Sequence, residues 1–270
     1  MKKFRLKLGM VVAAFLAMTM MTSCRINMNG GEMSGGNVTY TAGDLKPKDF
    51  KKIDVEVVAD VYYTQNNGDK CEVRLDFSDI KDPKMTQDLK DKVKVLYREE
   101  GVKIVLDGKV KNATNMNSGN RLKVYITSPD IVKIEMAGVG SFHSDAINTD
   151  TIKVNNEGVG SISIKDLLAN KCDIDNEGVG SVKMENVKAD RLDVDNEGVG
   201  SVKITKFEGG KVYITNEGVG KVAMEVNCDY VKAVLEGVGG IRLSGITHYL
   251  DEERDGIGSV KKKDLQIVKQ

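Results

Sequence analysis

Glutamates recur at an almost constant interval in the second half of this 270-residue chain, at Glu157, Glu177, Glu197, Glu217 and Glu236. In a stacked sheet such a row places carboxylates about 5 Å apart, a spacing at which like charges oppose each other. Two interpretations remain open. Either solvent and neighbouring lysines such as Lys183 screen the charges, or adjacent carboxylates bind a divalent cation such as Ca²⁺ together with Asp175 and Asp195. The chain lacks the Gly-Gly-x-Gly-x-Asp calcium repeat.

An asparagine precedes the glutamate in four consecutive copies, at Asn156, Asn176, Asn196 and Asn216. Stacked amides both donate and accept hydrogen bonds along a stack, so the pattern predicts an asparagine ladder. Met136 and Leu235 occupy the same column in the copies before and after, which indicates a sheltered position. The alternative is that asparagine stands there only because it tolerates turns.

These residues belong to a repeat, NEGVGS, that is written three times and continues in weaker copies on both sides. The seven copies, counted from the residue before the first glycine, start at 137, 157, 177, 197, 217, 236 and 255, so successive copies are 19 or 20 residues apart. A fixed period of this length indicates a repeat architecture.

Each copy carries two glycines around a β-branched residue, and these segments are predicted to form corners of the repeat. The glycines supply backbone angles with φ above zero. They are Gly138, Gly140, Gly158, Gly160, Gly178, Gly180, Gly198, Gly200, Gly218, Gly220, Gly237, Gly239, Gly256 and Gly258. The residues between them are predicted to point inward and fill the corner: Val159, Val179, Val199, Val219, Val238 and Ile257.

Apolar residues alternate with polar ones in the segments between the corners, such as 161–176 and 181–196. This period indicates half-buried strands, two or three short ones in each copy. A unit this small cannot bury its apolar face alone, so the copies must stack. The alternation and the glycines exclude helical solenoids, and propeller blades need about twice the period. The predicted fold class is therefore all-β, a single-stranded parallel β-helix, or β-solenoid, with coils of about 20 residues.

The β-helix domain is predicted to span 49–270, in three parts. Residues 49–131 contain strands without the period and are predicted to block the first coil, with a hairpin at 97–102 and a short helix within 78–91. Residues 132–260 form the regular repeats. Residues 261–270, beginning with the charged KKKD, form the C-terminal cap.

The first 23 residues form a signal peptide, with a basic stretch, a short apolar run and small residues before Cys24. The ending MTSC resembles a bacterial lipobox, in which the thiol of Cys24 carries the lipid that attaches the protein to a membrane. The alternative is an ordinary secretory signal followed by an incidental cysteine. Residues 24–48 are rich in Gly, Asn and Ser and are predicted to form a flexible tether.

Composition excludes several classes of function. Removing residues 1–23, which contain four basic and no acidic residues, changes the formal net charge from 0 to −4, so a nucleic-acid partner is disfavoured. The chain has no Trp and only two histidines, His143 and His248, and it shows no nucleophile, phosphate or cofactor motif. Cys172 shares a column with Leu192, which predicts a core thiol. The acids follow the repeat, so the pattern does not predict an enzyme.

The signal and lipobox, the opening Phe50-x-x-Ile53-x-Val55, the strand RLKVYITSPDIVKIEMAGVGS and the recurring Gly-x-Gly corners resemble the putative auto-transporter adhesin, head GIN domain family. The resemblance covers about 50–260. It implies a right-handed β-helix in the cell envelope and no catalytic residues. The corner of that family resembles Ser-Gly-Ser-Gly, whereas this chain has Glu-Gly-Val-Gly.

Three functions are compatible with these features. The first is a lipid-anchored outer-membrane adhesin that binds a glycan or protein ligand, the second a structural scaffold of the envelope, and the third a glycan-active enzyme. Apart from possible Ca²⁺, the sequence indicates no cofactor. It does not indicate an oligomeric state.

Overall fold

The computed structural model describes residues 38–39, 50–98, 101–109 and 120–269. These residues belong to one compact unit, Gly31–Gln270. The predicted signal peptide, Cys24 and most of the predicted tether lie outside the described residues. Two tether residues, Val38 and Thr39, form a short strand paired with 74–75.

The described residues form sixteen strands and one helix. The N-terminal elements are β1 (Val38–Thr39), β2 (Lys52–Val55), β3 (Val58–Gln65), β4 (Glu72–Asp76), α1 (Pro83–Lys92), β5 (Val93–Arg98), β6 (Gly101–Leu106), β7 (Leu122–Ser128), β8 (Lys133–Met136), β9 (Val139–Asn148) and β10 (Thr151–Asn156). The long strands of the repeat are β11 (Val159–Asn176), β12 (Val179–Asn196), β13 (Val199–Asn216), β14 (Val219–Leu235), β15 (Val238–Arg254) and β16 (Ile257–Ile267).

The repeats stack as a parallel β-solenoid, which confirms the predicted fold class. Each long strand pairs in parallel with the strand one coil before and one coil after it. Equivalent residues lie in register, so that Val159 pairs with Val179 and Val179 with Val199. One coil is a nearly continuous strand that bends, rather than two or three separate short strands.

The bends are visible as interruptions of the alternation between buried and exposed side chains. In β11 the buried residues are spaced by two along each face, but by three between Ile164 and Leu167 and again between Ala169 and Cys172. Two successive outward residues mark each of these bends. A third bend lies at the Glu-Gly pair between consecutive strands. The three bends divide each coil into three faces around one core. The largest fully buried side chains of that core include Phe142 and Phe207.

The glycines of the corner are required mainly by close approach of the backbone. A Cβ atom on Gly178 would lie 2.2 Å from the carbonyl oxygen of Gly158 in the coil before, and one on Gly180 would lie 1.7 Å from that of Gly160. Positive φ angles, which the sequence predicts for the corner glycines, occur at some of the second glycines, such as Gly140 at 147°. A side chain at either position would force stacked coils apart.

The residues between the glycines point outward, so the prediction that they fill the interior was wrong. Exposed fractions run from 38% for Val179 to 53% for Val219 and 76% for Ile257. The physical reason is the alternation itself: the asparagine and the first glycine point inward, and the intervening glutamate and the next residue must then point outward. The interior of the corner is filled by the asparagine column instead.

Replacing Val199 with Thr is expected to change the free energy of unfolding by less than about 0.5 kcal/mol, because the side chain is already 41% exposed. The matched control is Val202→Thr, three residues later in the same strand, where the side chain is fully buried. That hydroxyl has to be desolvated, at a cost of about 1–3 kcal/mol. Urea unfolding of both variants measures the difference, and equal losses would contradict the outward position.

The N-terminal part supplies the first coils and closes one end of the stack. β2 and β3 pair in parallel with β8 and β9, and their other edges pair with β6 and β7. β4 and β5 then pair antiparallel with β7 and β6. The predicted hairpin is confirmed by the pair Arg98 and Gly101. The predicted short helix is confirmed as α1, which begins after Asp82, whose carboxylate accepts hydrogen bonds from the amides of Lys84 and Met85.

The C-terminal end differs from the predicted cap. Residues 261–267, which the sequence assigns to a segment covering the end, lie within β16 and continue the last coil. Among the described residues, no strand pairs with the outer edge of β16. The cluster of lysines at 261–263 lies in this last coil, and charge on a terminal strand disfavours pairing with other chains.

Candidate functional site

An open cleft of about 860 Å³ lies between the loop that follows β3 and the outer surface of the solenoid. Its volume falls within the range of about 300–1,000 Å³ that is typical of ligand sites. The loop, residues 66–69, forms one wall, and the segments 146–148, 166–168 and 186–188 form the other with Lys206 and Glu208.

The loop wall is held in one conformation by its own hydrogen bonds. The side-chain oxygen of Asn66 accepts a hydrogen bond of 2.8 Å from the amide of Gly68, and its side-chain nitrogen donates to the carbonyl of Lys70 at 2.6 Å. The backbone amide of Asn66 donates to the carbonyl of Ser128. Asn67 and Asp69 remain exposed at the tip. Their side chains can therefore contact a ligand without a prior rearrangement of the loop.

Gln65 ties this loop to the first regular coils. Its side-chain nitrogen donates to the carbonyls of Pro129, at 2.9 Å, and Asn148, at 2.7 Å. Its side-chain oxygen accepts from the amide of Asn148 at 2.6 Å. Because the Gln65 side chain bonds both the amide and the carbonyl of Asn148, it fixes the width of the cleft next to Asn148.

The solenoid wall consists of two columns of stacked side chains. In the first, Asp166, Asn186 and Lys206 occupy successive coils, and the Asn186 amide donates to Asp166 at 2.7 Å. In the second, Leu168, Lys188 and Glu208 are in register, and Lys188 lies 3.5 Å from Glu208. Leu168 is 47% exposed and gives the wall one apolar patch.

The cleft is lined by both donors and acceptors of hydrogen bonds. Amide groups of Asn67 and Asn186 donate and accept, carboxylates of Asp69 and Asp166 accept, and Lys206 donates. Of the charged side chains that line it, three are acidic and two are basic. The cleft therefore fits a ligand rich in hydroxyl or amide groups better than a strongly charged one.

The sequence does not predict this cleft, because its two walls are far apart along the chain. The motif Asn66-Asn67-Gly68-Asp69 signals only a turn. The residues opposite it are about 80–140 positions later and belong to ordinary outward columns of the repeat. Only the coil register brings Asp166 and Asn186 opposite the loop.

The predicted asparagine column lies inside the solenoid, where all four side chains are fully or almost fully buried. Each amide donates to the oxygen of the next: Asn156 to Asn176 at 2.7 Å, Asn176 to Asn196 at 2.6 Å and Asn196 to Asn216 at 2.7 Å. The last donates to the carbonyl of Gly220 at 3.4 Å. Buried amides arranged in this way stabilise the stack and are inaccessible to a ligand.

The glutamate column lies on the outer edge of the corner, remote in the coil from the cleft columns. No group of three or more His, Cys, Asp or Glu side chains among the described residues is arranged to bind a metal ion. The predicted partners Asp175 and Asp195 lie two positions earlier in the coil, and Lys153 binds Asp175 at 2.7 Å. Ca²⁺ binding by this column stays a prediction.

Partial burial and the neighbouring carboxylates Glu135 and Glu177 raise the pKa of Glu157 above its usual value. A raised pKa in the folded state means that the ionised form destabilises the fold at neutral pH. We therefore expect Glu157→Gln to raise the melting temperature slightly at pH 7. The gain should shrink as pH falls through the folded-state pKa. Thermal melts of both proteins from pH 7 to about pH 4 test this, and a gain that persists at the acidic end would contradict it.

Other residues that the sequence singles out occupy structural positions. Cys172 is completely buried, and burial raises its thiol pKa, as expected for a core thiol. His143 stacks on Tyr62, with ring centroids 5.4 Å apart, within β9 rather than in a surface loop. Tyr230 and Tyr249 stack at 5.6 Å on the outside of the last coils. None of these side chains lines the cleft.

Residues 49–245 match the family model described as putative auto-transporter adhesin, head GIN domain. The chain belongs to this family. No helix among the described residues has the length and apolar character needed to cross a membrane. Among curated proteins, none matches the chain.

Several solved structures share the fold. A putative adhesin from Bacteroides fragilis is 27% identical, with 86% of this chain and 100% of that one covered at a TM-score of 0.71. A putative adhesin from Parabacteroides distasonis is 18% identical, with 86% and 97% covered at 0.58. A putative lipid binding protein from the same species is 17% identical, with 86% and 98% covered at 0.50. The last two likenesses show the fold alone.

Proposed function

We propose that this protein is a cell-envelope adhesin that binds a short stretch of glycan in the cleft between the 66–69 loop and the solenoid. The observation that carries the proposal is the cleft itself, about 860 Å³ in volume and lined by prearranged amides and carboxylates. Sugar hydroxyls both donate and accept hydrogen bonds, which matches such a lining. Membership of the putative auto-transporter adhesin, head GIN domain family and the likeness to the putative adhesin from Bacteroides fragilis support the same function.

The cleft favours a binding role over turnover. Leu168 supplies an apolar patch for the face of a sugar ring, while Asp166 and Asn186 hold each other at 2.7 Å and present their remaining polar atoms to the cleft. The groups are fixed by bonds to neighbouring coils rather than poised on separate mobile loops. We therefore propose recognition without catalysis, with no cofactor.

A glycan array probed with residues 31–270 tests the proposal, since this compact unit contains all the core residues that the structure describes. We expect selective binding to a subset of glycans. Asn186→Ala should weaken it by about tenfold or more, because the variant removes contacts and leaves Asp166 without its amide partner. The control is Asp190→Ala, an exposed side chain outside the cleft.

Binding that Asn186→Ala leaves unchanged would overturn the cleft as the site. An array without hits would overturn the glycan as ligand; hits on a parallel matrix-protein array would then indicate a protein ligand. If the protein binds nothing on either array and a deletion strain has envelope defects, the protein is a structural scaffold. Release of reducing ends from any bound polysaccharide would indicate an enzyme.

We also propose that the lipid on Cys24 attaches the protein to the outer membrane. Arg25 follows this cysteine. A signal for retention in the inner membrane would have an aspartate at this position. Cys24→Ser is expected to move the protein from the membrane fraction to the soluble one. Retention of the variant in the membrane fraction would contradict the anchor.

A further inference from the structure

The outward side chains of the repeat corner form a face with four parallel columns, which we call the corner face. From one border to the other, the columns start with Glu157, Val159, Ser161 and Ser163 and continue through equivalent positions of the later coils. The second column is an exposed apolar stripe of six side chains, from Val159 to Ile257. At a coil spacing of about 4.8 Å, this stripe is about 24 Å long.

The two borders of the corner face carry opposite charges within the same coil. An acid at one border is followed six residues later by a base at the other in four coils, as the pairs Glu177 and Lys183, Glu197 and Lys203, Glu236 and Arg242, and Asp255 and Lys261. All eight side chains are exposed.

Four of these eight side chains form no ion pair with any residue that the structure describes. Lys183 lies 3.9 Å from Glu185. For Lys203, Arg242 and Lys261, no ion pair occurs with any residue that the structure describes, and the same holds for Glu197. The face thus presents an apolar stripe between exposed acids at one border and exposed bases at the other.

We propose that the corner face binds the corner face of a second copy of this chain, around a two-fold axis parallel to the solenoid axis. That rotation exchanges the two borders and keeps each coil at its own level. Glu197 of one copy then faces Lys203 of the other, and the reverse, and the three other pairs match in the same way. A two-fold axis perpendicular to the stack would instead place acids opposite acids.

The inner columns are complementary under the same rotation. Each valine faces the third column of the second copy, which contains serines at four levels, Lys221 opposite Val219 and Gly240 opposite Val238. A recess of about 110 Å³ opens at Gly240, bordered by Lys221, Arg242 and Ser259. Val238 occupies the second column in the same coil, so the valine of one copy lies opposite the recess of the other.

The expected dimer is weak. The corner face measures about 24 Å by 20 Å, so the interface buries about 1,000 Å² in total, at the lower limit of specific interfaces. Interfaces of this size are typical of transient association, and we expect a dissociation constant of about 1–100 µM. The cleft lies beyond the basic border and stays open in the dimer.

Sedimentation of residues 31–270 from about 1 to 500 µM tests the proposal. Glu197→Lys places lysine opposite Lys203 twice in each dimer, and we expect at least tenfold weaker association. Lys203→Glu should weaken it similarly. The double exchange, Glu197→Lys with Lys203→Glu, restores opposite charges only in the proposed arrangement and should return the dissociation constant to within about threefold of the original.

Asp190→Lys is the control, since it makes the same change of charge at an exposed residue outside the corner face. A protein that stays monomeric throughout the range would overturn the proposal, as would a dimer that Glu197→Lys leaves intact. Failure of the double exchange to restore association would overturn the parallel two-fold. If the monomer instead sediments with anionic phospholipid vesicles and Val199→Asp abolishes this, the face binds lipid and the proposal is wrong.

Discussion

Gly180→Ala is expected to lower the free energy of unfolding by about 3 kcal/mol or more. The added Cβ would lie 1.7 Å from the carbonyl oxygen of Gly160 and 2.8 Å from its carbonyl carbon. Both atoms belong to the backbone of the preceding coil, so no side-chain rotation relieves the contact. Residues of the two coils pair in register on both sides of the corner, and the strain must therefore spread into neighbouring coils. Urea denaturation followed by circular dichroism measures the loss.

Two other glycines separate the effect of close approach from that of backbone conformation. Gly108 has a φ of 96°, but a Cβ there would meet nothing within 4 Å, so Gly108→Ala should cost only about 1–2 kcal/mol. Gly68→Ala places its Cβ 3.7 Å from the nearest atom and should be nearly neutral. If Gly180→Ala cost no more than Gly108→Ala, coil contact would not be the reason for glycine at the corner.

The sequence was sufficient to predict the architecture, because the architecture is itself periodic. A repeat of 19 or 20 residues with alternating apolar positions has few ways to bury its surface, and the parallel solenoid is the one observed. The short helix was also predictable, since Pro83 follows Asp82 at its beginning. Local signals of this kind do not depend on distant parts of the chain.

The direction of the valines was not predicted correctly, because a corner changes the alternation between inside and outside. Counting back from the buried Ile162 by two gives Gly160 and Gly158 as inward positions, which leaves Val159 outward. The apolar character of valine suggests an inward side chain, but the alternation places it outside. The alternation was the better guide, since the inward asparagine already occupies the corner.

The candidate cleft could not be predicted for a different reason. It depends on the position of the 66–69 loop opposite coils about 100 residues later, and Gln65 bonds both backbone groups of Asn148. No period relates these segments. A single glutamine that bonds two distant backbone carbonyls leaves no pattern in one sequence.

Asn196→Leu is expected to lower the free energy of unfolding by about 2–5 kcal/mol. Asn196 accepts from Asn176 at 2.6 Å and donates to Asn216 at 2.7 Å, and all three side chains are fully buried. Leucine has a similar volume and removes both bonds. It leaves a buried amide donor on one side and a buried amide oxygen on the other, neither of which can reach solvent. Thermal and urea unfolding measure the loss.

Replacing all four asparagines with leucine provides the decisive comparison. Leu235 already occupies the next position of the column, fully buried, so the interior accommodates leucine. With every amide removed, no buried polar partner is left unsatisfied, and apolar burial replaces the lost bonds. The fourfold variant should therefore lose less stability than the sum of the four single changes to leucine. Asn156→Leu, at the end of the ladder, should cost about half as much as Asn196→Leu. Additive losses would show that the asparagines act separately, through their individual turn conformations, rather than as one hydrogen-bonded column.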